Sequence, residues 1–248
     1  MHAPRLPIAV TALLCIVYPA MSPGDALRGE VSLAATAHEI LGDEATALLG
    51  SALDPHEINE WAVYVPESYD PESPAGLLVF ISPTDAGRMP GRYRQVLDDN
   101  NLIWIGANQS GNRVRVARRI SLALLATAIA DSKYRIDASR VYVSGFSGGG
   151  RTASAVAPEY PQLFTGAIYI CGVNFWDGRK PTQLDRVRDN RYVFLTGSKD
   201  FNRSETRRVH RAYRRAEVDN VMLLEVAGMD HRMPPPEDLA QAITFLDE

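Results

Sequence analysis

Short apolar runs alternate with helix-like patterns from Trp61 to the end of the chain. A strand buried on both faces appears as a continuous apolar run, whereas an amphipathic helix repeats its apolar positions every three or four residues. Strands are predicted in this way at Trp61–Val65, Leu77–Ser82, Leu102–Ala107, Val141–Ser144, Ala167–Cys171, Tyr192–Thr196 and Val221–Val226. Helices are predicted at Tyr93–Asn100, Val114–Ser132, Gly149–Ala157, Ser204–Ala216 and Pro236–Asp247. The pattern assigns no element to Gly29–Asn59.

This alternation predicts an α/β fold with a mostly parallel central sheet and helices on both faces. No linker divides residues 27–248, so we expect a single domain without a large cap domain. Parallel sheets bind their ligands at the carboxyl edge of the strands. Residues that carry chemistry are therefore expected directly after a strand.

The first 26 residues are predicted to be a secretory signal peptide rather than part of the fold. Arg5 precedes an apolar run from Leu6 to Val17, which is shorter than the roughly 20 residues of a membrane-spanning helix. Cleavage after Ala26 or after Ala20 fits the small residues there, and an uncleaved anchor is the alternative. We expect a secreted or periplasmic protein with no stable membrane span after cleavage.

The composition excludes several classes of protein. The 248 residues include 26 Lys plus Arg, 30 Asp plus Glu and 46% hydrophobic residues, which excludes a disordered chain or a bundle of membrane spans. The net charge of −4 argues against a nucleic-acid partner, although five arginines lie on the predicted helix 204–216. Cys15 and Cys171 are too few for a disulfide framework, and Cys171 is expected to be a small buried hydrophobe.

A serine lies on a glycine-rich turn between a predicted strand and a predicted helix. Directly after Val141–Ser144 the chain reads GFSGG at residues 145–149, which is the G-x-S-x-G pattern. Small neighbours allow a strained turn that lifts the serine hydroxyl above the sheet, and the following helix offers unpaired N–H groups to negative charge. Ser147 is therefore the predicted nucleophile. The alternative is a serine that only caps the helix.

One histidine and one carboxylate follow strands that end at the same predicted edge. A serine hydroxyl needs an adjacent base to react at neutral pH. Of the five histidines, only His231 follows the last predicted strand, so it is the predicted base. Asp200 follows Tyr192–Thr196 and is predicted to orient the imidazole. Asp177 is the alternative acid.

Two N–H groups are predicted to stabilise the negative oxygen of a tetrahedral intermediate. The amide of Gly148, directly after the nucleophile, is the first. The second is expected from the loop after Leu77–Ser82, and since Pro83 has no N–H, Thr84 is the candidate. The sequence shows neither metal-ligand spacing nor a phosphate-binding loop, so neither a metal nor a cofactor is expected.

Two further loops are expected near this edge of the sheet. Residues 108–112 (NQSGN) follow the predicted strand Leu102–Ala107 and are expected to border the site. Phe175 and Trp176, in the loop 172–190, either offer apolar contact to a substrate or pack against the core. The pattern alone does not separate these two interpretations.

Four stretches, at residues 64–83, 140–172, 193–218 and 228–247, resemble the α/β-hydrolase superfamily. They are most similar to secreted esterases of the polyhydroxybutyrate depolymerase and feruloyl esterase type. The resemblance extends from about Trp61 to the end and implies a serine esterase with Ser147, Asp200 and His231 as its triad. This chain has Ser82-Pro83 where that family commonly has His-Gly, and it lacks the disulfides of secreted relatives.

The first hypothesis is a secreted serine hydrolase that cleaves small or polymeric carboxylic esters through an acyl-enzyme. A peptidase of the prolyl oligopeptidase type would use the same residues. A non-catalytic exported binding protein on the same scaffold is the alternative from another class, and the missing His-Gly motivates it. The sequence gives no oligomeric state.

Overall fold

The computed structural model describes residues 27–46, 49, 52–176 and 180–248, and these residues include one central sheet. The predicted signal peptide and Asp177 lie outside the described residues. The strands are β1 (Gly29–Thr36), β2 (Ile58–Val65), β3 (Ala75–Ile81), β4 (Leu102–Ala107), β5 (Ile136–Phe146), β6 (Gly166–Ile170), β7 (Arg191–Gly197) and β8 (Val221–Val226). Their order in the sheet is β1-β2-β4-β3-β5-β6-β7-β8.

The sheet is mostly parallel, as predicted. β2 is antiparallel to both of its neighbours, β1 and β4, whereas every pairing from β4 through to β8 is parallel. The strands in the centre are continuously buried apolar segments, and every residue of β3, β4 and β6 is buried. The parallel strands therefore bring their carboxyl ends to one edge, where the loops of the site begin.

Helices cover both faces of the sheet, which confirms the α/β prediction. They are α1 (Ala37–Thr46), α2 (Arg94–Asp99, preceded by a 3-10 turn at Gly91–Tyr93), α3 (Val116–Asp131), α4 (Gly148–Glu159), α5 (Leu184–Asp189), α6 (Arg203–Arg215) and α7 (Pro236–Asp247). The core on one face includes side chains of α1, α3, α4, α5 and α6, and the core on the other face includes those of α2 and α7.

The structure adds elements that the pattern did not assign. β1 and α1 occupy part of the segment left open at Gly29–Asn59, and α5 lies inside the predicted loop 172–190. α3 is buried on nearly all sides, because α1 and α4 contact it in addition to β3 and β4. Trp61 in β2 and Trp104 in β4 are both buried.

Two further predictions concern what covers the sheet and what spans a membrane. In its described part, 171–176 and 180–190, the connection from β6 to β7 holds only the short helix α5, and these residues contain no cap domain. Within the described ranges, none of the helices is both long enough and apolar enough to span a bilayer.

Candidate active site

Ser147 lies on a strained turn at the carboxyl end of β5. Its backbone angles are φ 55° and ψ −119°, a conformation that costs a non-glycine residue of order 1–3 kcal/mol. The Ser147 carbonyl accepts a hydrogen bond from the Arg151 N–H in the first turn of α4. Because N–H and C=O point in opposite directions across a trans peptide, the Gly148 N–H points out of the helix N-terminus, towards the space above Ser147.

The three predicted triad side chains form one hydrogen-bonded chain. The Ser147 Oγ lies 2.9 Å from Nε2 of His231, and Nδ1 of the same ring lies 2.8 Å from Oδ1 of Asp200. These residues follow β5, β7 and β8, and the parallel register of those strands brings their loops together. The structure therefore places the three side chains as a nucleophile, a base and an orienting acid would be placed.

Asp200 is fixed from several sides. Its side chain has 0% exposure. Oδ2 accepts a hydrogen bond from the Thr196 hydroxyl at 2.7 Å, and Oδ1 accepts one from the Asn202 N–H at 3.1 Å. These bonds hold Oδ1 towards His231 and leave the carboxylate little freedom to rotate.

His231 lies between two aromatic rings at the surface of the site. Its ring is 4.1 Å from the Phe201 ring and 5.0 Å from the Phe146 ring, centroid to centroid. Phe201 is 76% exposed, so an apolar ring faces solvent beside the histidine.

Cys171 lies behind the triad and is buried, as the sequence predicts. Its Sγ, a carboxylate oxygen of Asp200 and a ring nitrogen of His231 lie within 4.8 Å of one another. The thiol also lies 3.6 Å from the Arg232 carbonyl, to which it donates. Burial, followed by the nearby Asp200, raises the pKa of the Cys171 thiol far above its usual value. The thiol is therefore protonated and acts as a hydrogen-bond donor.

The two predicted oxyanion donors differ in their surroundings. The Gly148 N–H points into the site, as described above. The Thr84 N–H donates to the Ser82 Oγ at 3.1 Å, so it already has a partner. The Pro83 carbonyl, on the same peptide group as the Thr84 N–H, accepts a hydrogen bond from the Asn112 N–H at 3.0 Å, which fixes the orientation of that peptide.

Asn112 confirms that the loop 108–112 borders the site. Its carboxamide lies directly against Gly148, since a methyl group built on Gly148 would lie 2.1 Å from the Asn112 Oδ1. The side chain is exposed to solvent. The sequence suggested this loop but gave no reason to select Asn112 from it.

The aromatic pair in the loop after β6 lies elsewhere. Phe175 and Trp176 pack on each other and on Tyr213 of α6, with ring centroids 5.9 Å and 4.6 Å from the tyrosine. Of the two interpretations that the sequence left open, the structure favours packing against the core. Asp177, the alternative acid, follows this pair and lies outside the described residues.

A cavity of about 530 Å³ adjoins the site on the side of the loop after β3. Phe146, which contacts the His231 ring, and Thr84 are part of its wall. The rest of the lining is mainly apolar, with two charged residues: Glu30, Phe80, Ser82, Pro83, Ala86, Arg88, Met89, Pro90, Gly91 and Met233. Such a wall suits an apolar substituent of a substrate.

The strand order, the strained turn after β5 and the loops at the carboxyl edge define an α/β-hydrolase. More narrowly, the chain belongs to the prolyl oligopeptidase family, whose model matches residues 122–247.

Solved structures of similar fold cover most of this chain. The S-formylglutathione hydrolase of Staphylococcus aureus aligns with a TM-score of 0.63 and 14% identity over 90% of this chain and 99% of its own. A feruloyl esterase module from Clostridium thermocellum, complexed with sinapinate, aligns with a TM-score of 0.63 and 14% identity over 88% of this chain and 87% of its own. A putative dienelactone hydrolase from Klebsiella pneumoniae aligns with a TM-score of 0.59 and 15% identity over 89% of this chain and 100% of its own. No curated protein sequence matches the chain.

Proposed function

We propose that this protein is a serine hydrolase that cleaves carboxylic esters through an acyl-enzyme. The observation that carries the proposal is the continuous hydrogen-bonded chain from Ser147 through His231 to Asp200, with contacts of 2.9 Å and 2.8 Å. Each side chain comes from a different loop at the carboxyl edge of the sheet. This is the arrangement that converts an unreactive hydroxyl into a nucleophile.

In the first half of the reaction, Ser147 Oγ attacks the ester carbonyl carbon while Nε2 of His231 takes the hydroxyl proton. The resulting tetrahedral intermediate collapses when the same nitrogen returns the proton to the leaving alcohol. In the second half, His231 removes a proton from water as the water attacks the acyl-serine. Nε2 then returns this proton to the Ser147 Oγ, and the acid is released. Asp200 holds the Nδ1–H throughout and stabilises the imidazolium.

The negative oxygen of the intermediate needs donors above Ser147. The Gly148 N–H faces this space, and we propose it as the first donor. Thr84, proposed from the sequence, serves the same oxygen only by sharing or leaving its bond to the Ser82 Oγ. The Asn112 carboxamide, which lies against Gly148, supplies a polar side chain beside the same space.

Two observations bear on the choice between esters and peptides. The structural relatives that cover most of this chain are named as an S-formylglutathione hydrolase, a feruloyl esterase module and a putative dienelactone hydrolase. These names support the ester assignment. The family match supports a peptidase of the prolyl oligopeptidase type as the second candidate. Parallel assays with p-nitrophenyl esters and with prolyl p-nitroanilides separate the two, because the ester proposal predicts turnover of the first set alone.

Replacing Ser147 by alanine tests the mechanism directly. The variant is expected to fold like the parent and to lose several orders of magnitude in kcat, since the nucleophile is gone. It is also expected to take no label from a fluorophosphonate probe. Ser204→Ala, which changes an exposed serine at the start of α6, is the matched control and should keep both properties. A parent protein that takes no label and cleaves no ester would instead indicate the non-catalytic binding protein.

We further propose that residues 1–26 direct export and are then removed. The apolar run after Arg5 supports this proposal. Intact-mass analysis of protein recovered from outside the cytoplasm is expected to show a chain that begins at Leu27 or at Met21. A recovered chain that retains its first residues would indicate the uncleaved anchor.

A further inference from the structure

Arg119 in the first turn of α3 is a buried cation to which the proposed mechanism assigns no role. The residue is only 4% exposed. Its guanidinium donates three hydrogen bonds, each to a backbone carbonyl: Nε to Ser110 at 2.8 Å, Nη1 to Gly148 at 3.2 Å and Nη2 to Ser82 at 2.9 Å.

These three carbonyls belong to two loops at the carboxyl edge of the sheet and to Gly148, the first residue of α4. Ser82 begins the loop after β3, which carries the Thr84 amide. Ser110 lies in the loop after β4, which brings the Asn112 carboxamide against Gly148. Gly148 is the residue after the nucleophile. One planar side chain therefore joins every loop that supplies a group to the oxyanion region.

The charge on Arg119 is not needed to neutralise an acid. Among the residues that the structure describes, no carboxylate forms an ion pair with it. Burial lowers the pKa of the guanidinium, which shows that the site penalises the charge. A residue that only filled this space would avoid that penalty with an apolar side chain.

The neighbouring Arg118 has the more usual environment of an arginine, an ion pair at the surface. It lies partly exposed on the same helix and donates to Glu57 at 2.6 Å and 3.1 Å and to Asn59 at 3.0 Å. Such a surface ion pair contributes little to the stability of a protein. The two adjacent arginines therefore differ in burial and in partner, and only Arg119 contacts the site loops.

We propose that Arg119 is a positioning residue that holds the oxyanion hole of the proposed hydrolase in its reactive geometry. The proposal rests on the proposed function. Because the Ser82 and Gly148 carbonyls are bound by the same rigid guanidinium, the separation of their peptide groups is fixed. A displacement of about 1 Å at a reacting centre can reduce the rate about 100-fold.

Arginine is suited to this position because its donors form a planar fork. A lysine ammonium keeps the positive charge, but as a compact group on a flexible stem it cannot reproduce three diverging bonds in one plane. Comparing lysine with methionine at residue 119 therefore separates the fixed geometry from the charge alone.

The test uses Arg119→Lys, Arg119→Met and the matched control Arg118→Met. For each purified protein, circular dichroism and thermal unfolding first define a temperature at which the chain is folded. We then measure kcat and KM on a p-nitrophenyl ester, the inhibition constant of a trifluoromethyl ketone, which forms an oxyanion on the serine, and the pH profile of kcat/KM.

We expect kcat to fall at least about tenfold in Arg119→Lys and about 100-fold in Arg119→Met, with KM changed less than about threefold. Affinity for the trifluoromethyl ketone should fall in parallel, since it also depends on the oxyanion hole. The midpoint of the pH profile should stay constant because Arg119 does not touch the triad. Arg118→Met should behave like the parent.

The proposal is overturned if folded Arg119→Lys keeps the parent's kcat and ketone affinity and differs only in thermal stability. That result would assign Arg119 a structural role. If Arg119→Met does not fold, the lysine variant alone decides. A parent protein that cleaves no ester would refute the proposed function instead, and this outcome is recognised before any variant is compared.

Discussion

Replacing Asp200 by asparagine removes one negative charge while the surrounding contacts determine how the new side chain lies. The Asn202 N–H requires an acceptor at the position of Oδ1, so the amide oxygen is expected to stay beside His231. The new NH₂ group then faces Thr196, whose hydroxyl can rotate from donating to accepting. The imidazole therefore keeps its proton on Nδ1, and the variant loses the charge but retains the correct tautomer.

The size of the effect follows from the burial of this contact. The Asp200 side chain has 0% exposure and Oδ1 lies 2.8 Å from Nδ1. A carboxylate and an imidazolium whose charges are about 4 Å apart attract each other by about 4 kcal/mol at an effective dielectric constant of 20. The neutral amide keeps part of this as an ordinary hydrogen bond. We therefore expect kcat to fall about 10²- to 10³-fold, less than the roughly 10⁴-fold loss caused by a reversed tautomer.

The assay is steady-state hydrolysis of a p-nitrophenyl ester, with fluorophosphonate labelling to count competent sites. Asp177→Asn is the control, because Asp177 is the other acid that the sequence allowed, and this variant should match the parent. A folded Asp200→Asn variant within threefold of the parent would remove Asp200 from the triad. A loss of 10⁴-fold or more would show that the amide turns its NH₂ group towards His231 and that the argument from Asn202 is wrong.

Two further substitutions test parts of the site and of its support. Asn112→Ala is expected to lower kcat about 100-fold with little change in KM, because its carboxamide lies beside the developing charge; exposed Arg113→Ala is the control, and equal activity of the two variants would contradict this role. Hydrogen bonding from Arg207, together with Arg203, lowers the pKa of Glu225, so this carboxylate stabilises the fold above its ordinary pKa of 4.5 and less as pH falls through the lowered value. Glu225→Gln should therefore reduce the free energy of unfolding by about 1–2 kcal/mol at pH 7. Urea titrations should show that difference shrinking as pH falls below 4.5 and vanishing below the lowered pKa; a difference that persists below both pKa values would refute the assignment.

The central elements could be predicted from the sequence because burial on both faces leaves a simple pattern. The predicted bounds of β4, β8 and α7 coincide with the structure. β5 is longer than predicted and begins at Ile136, since its first part, with Asp137 and Arg140, is largely polar and more exposed. Within that part only Ile136 pairs with β3, opposite Ala75, and the register shifts before the regular pairing resumes at Val141.

The N-terminal elements could not be predicted for a related reason. β1 lies at the antiparallel edge, where its side chains are mostly partly buried or exposed. α1 is interrupted at Gly42, which has φ 73° and ψ 178°, so no uninterrupted helical period is present. Both elements depend on contacts with β2 and α3, which a local pattern does not contain.

In the site, as in the fold, some features follow from the sequence pattern and others depend on tertiary contacts. The contact between Ser147, Asp200 and His231 could be predicted because each follows a strand, and a parallel sheet brings such positions together. Arg119 was not predicted, because it lies next to Arg118 in a helix and the sequence does not show which of the two arginines is buried. Burial of Cys171 was predicted, but its contact with the acid of the triad depends on the meeting of distant loops.

The positions of the site residues are fixed chiefly by backbone contacts between neighbouring strand ends. A methyl group on Gly149 would lie 1.8 Å from the Ile81 carbonyl at the end of β3, and one on Gly172 would lie 2.2 Å from the Ser147 carbonyl. The strained turn is thus in direct contact with the ends of β3 and β6, which offsets the cost of its unusual conformation. The sheet already limits how far these loops can lie from Ser147, and side chains such as Arg119 then set their final positions. We therefore expect replacement of Arg119 to lower the catalytic rate while the chain still folds.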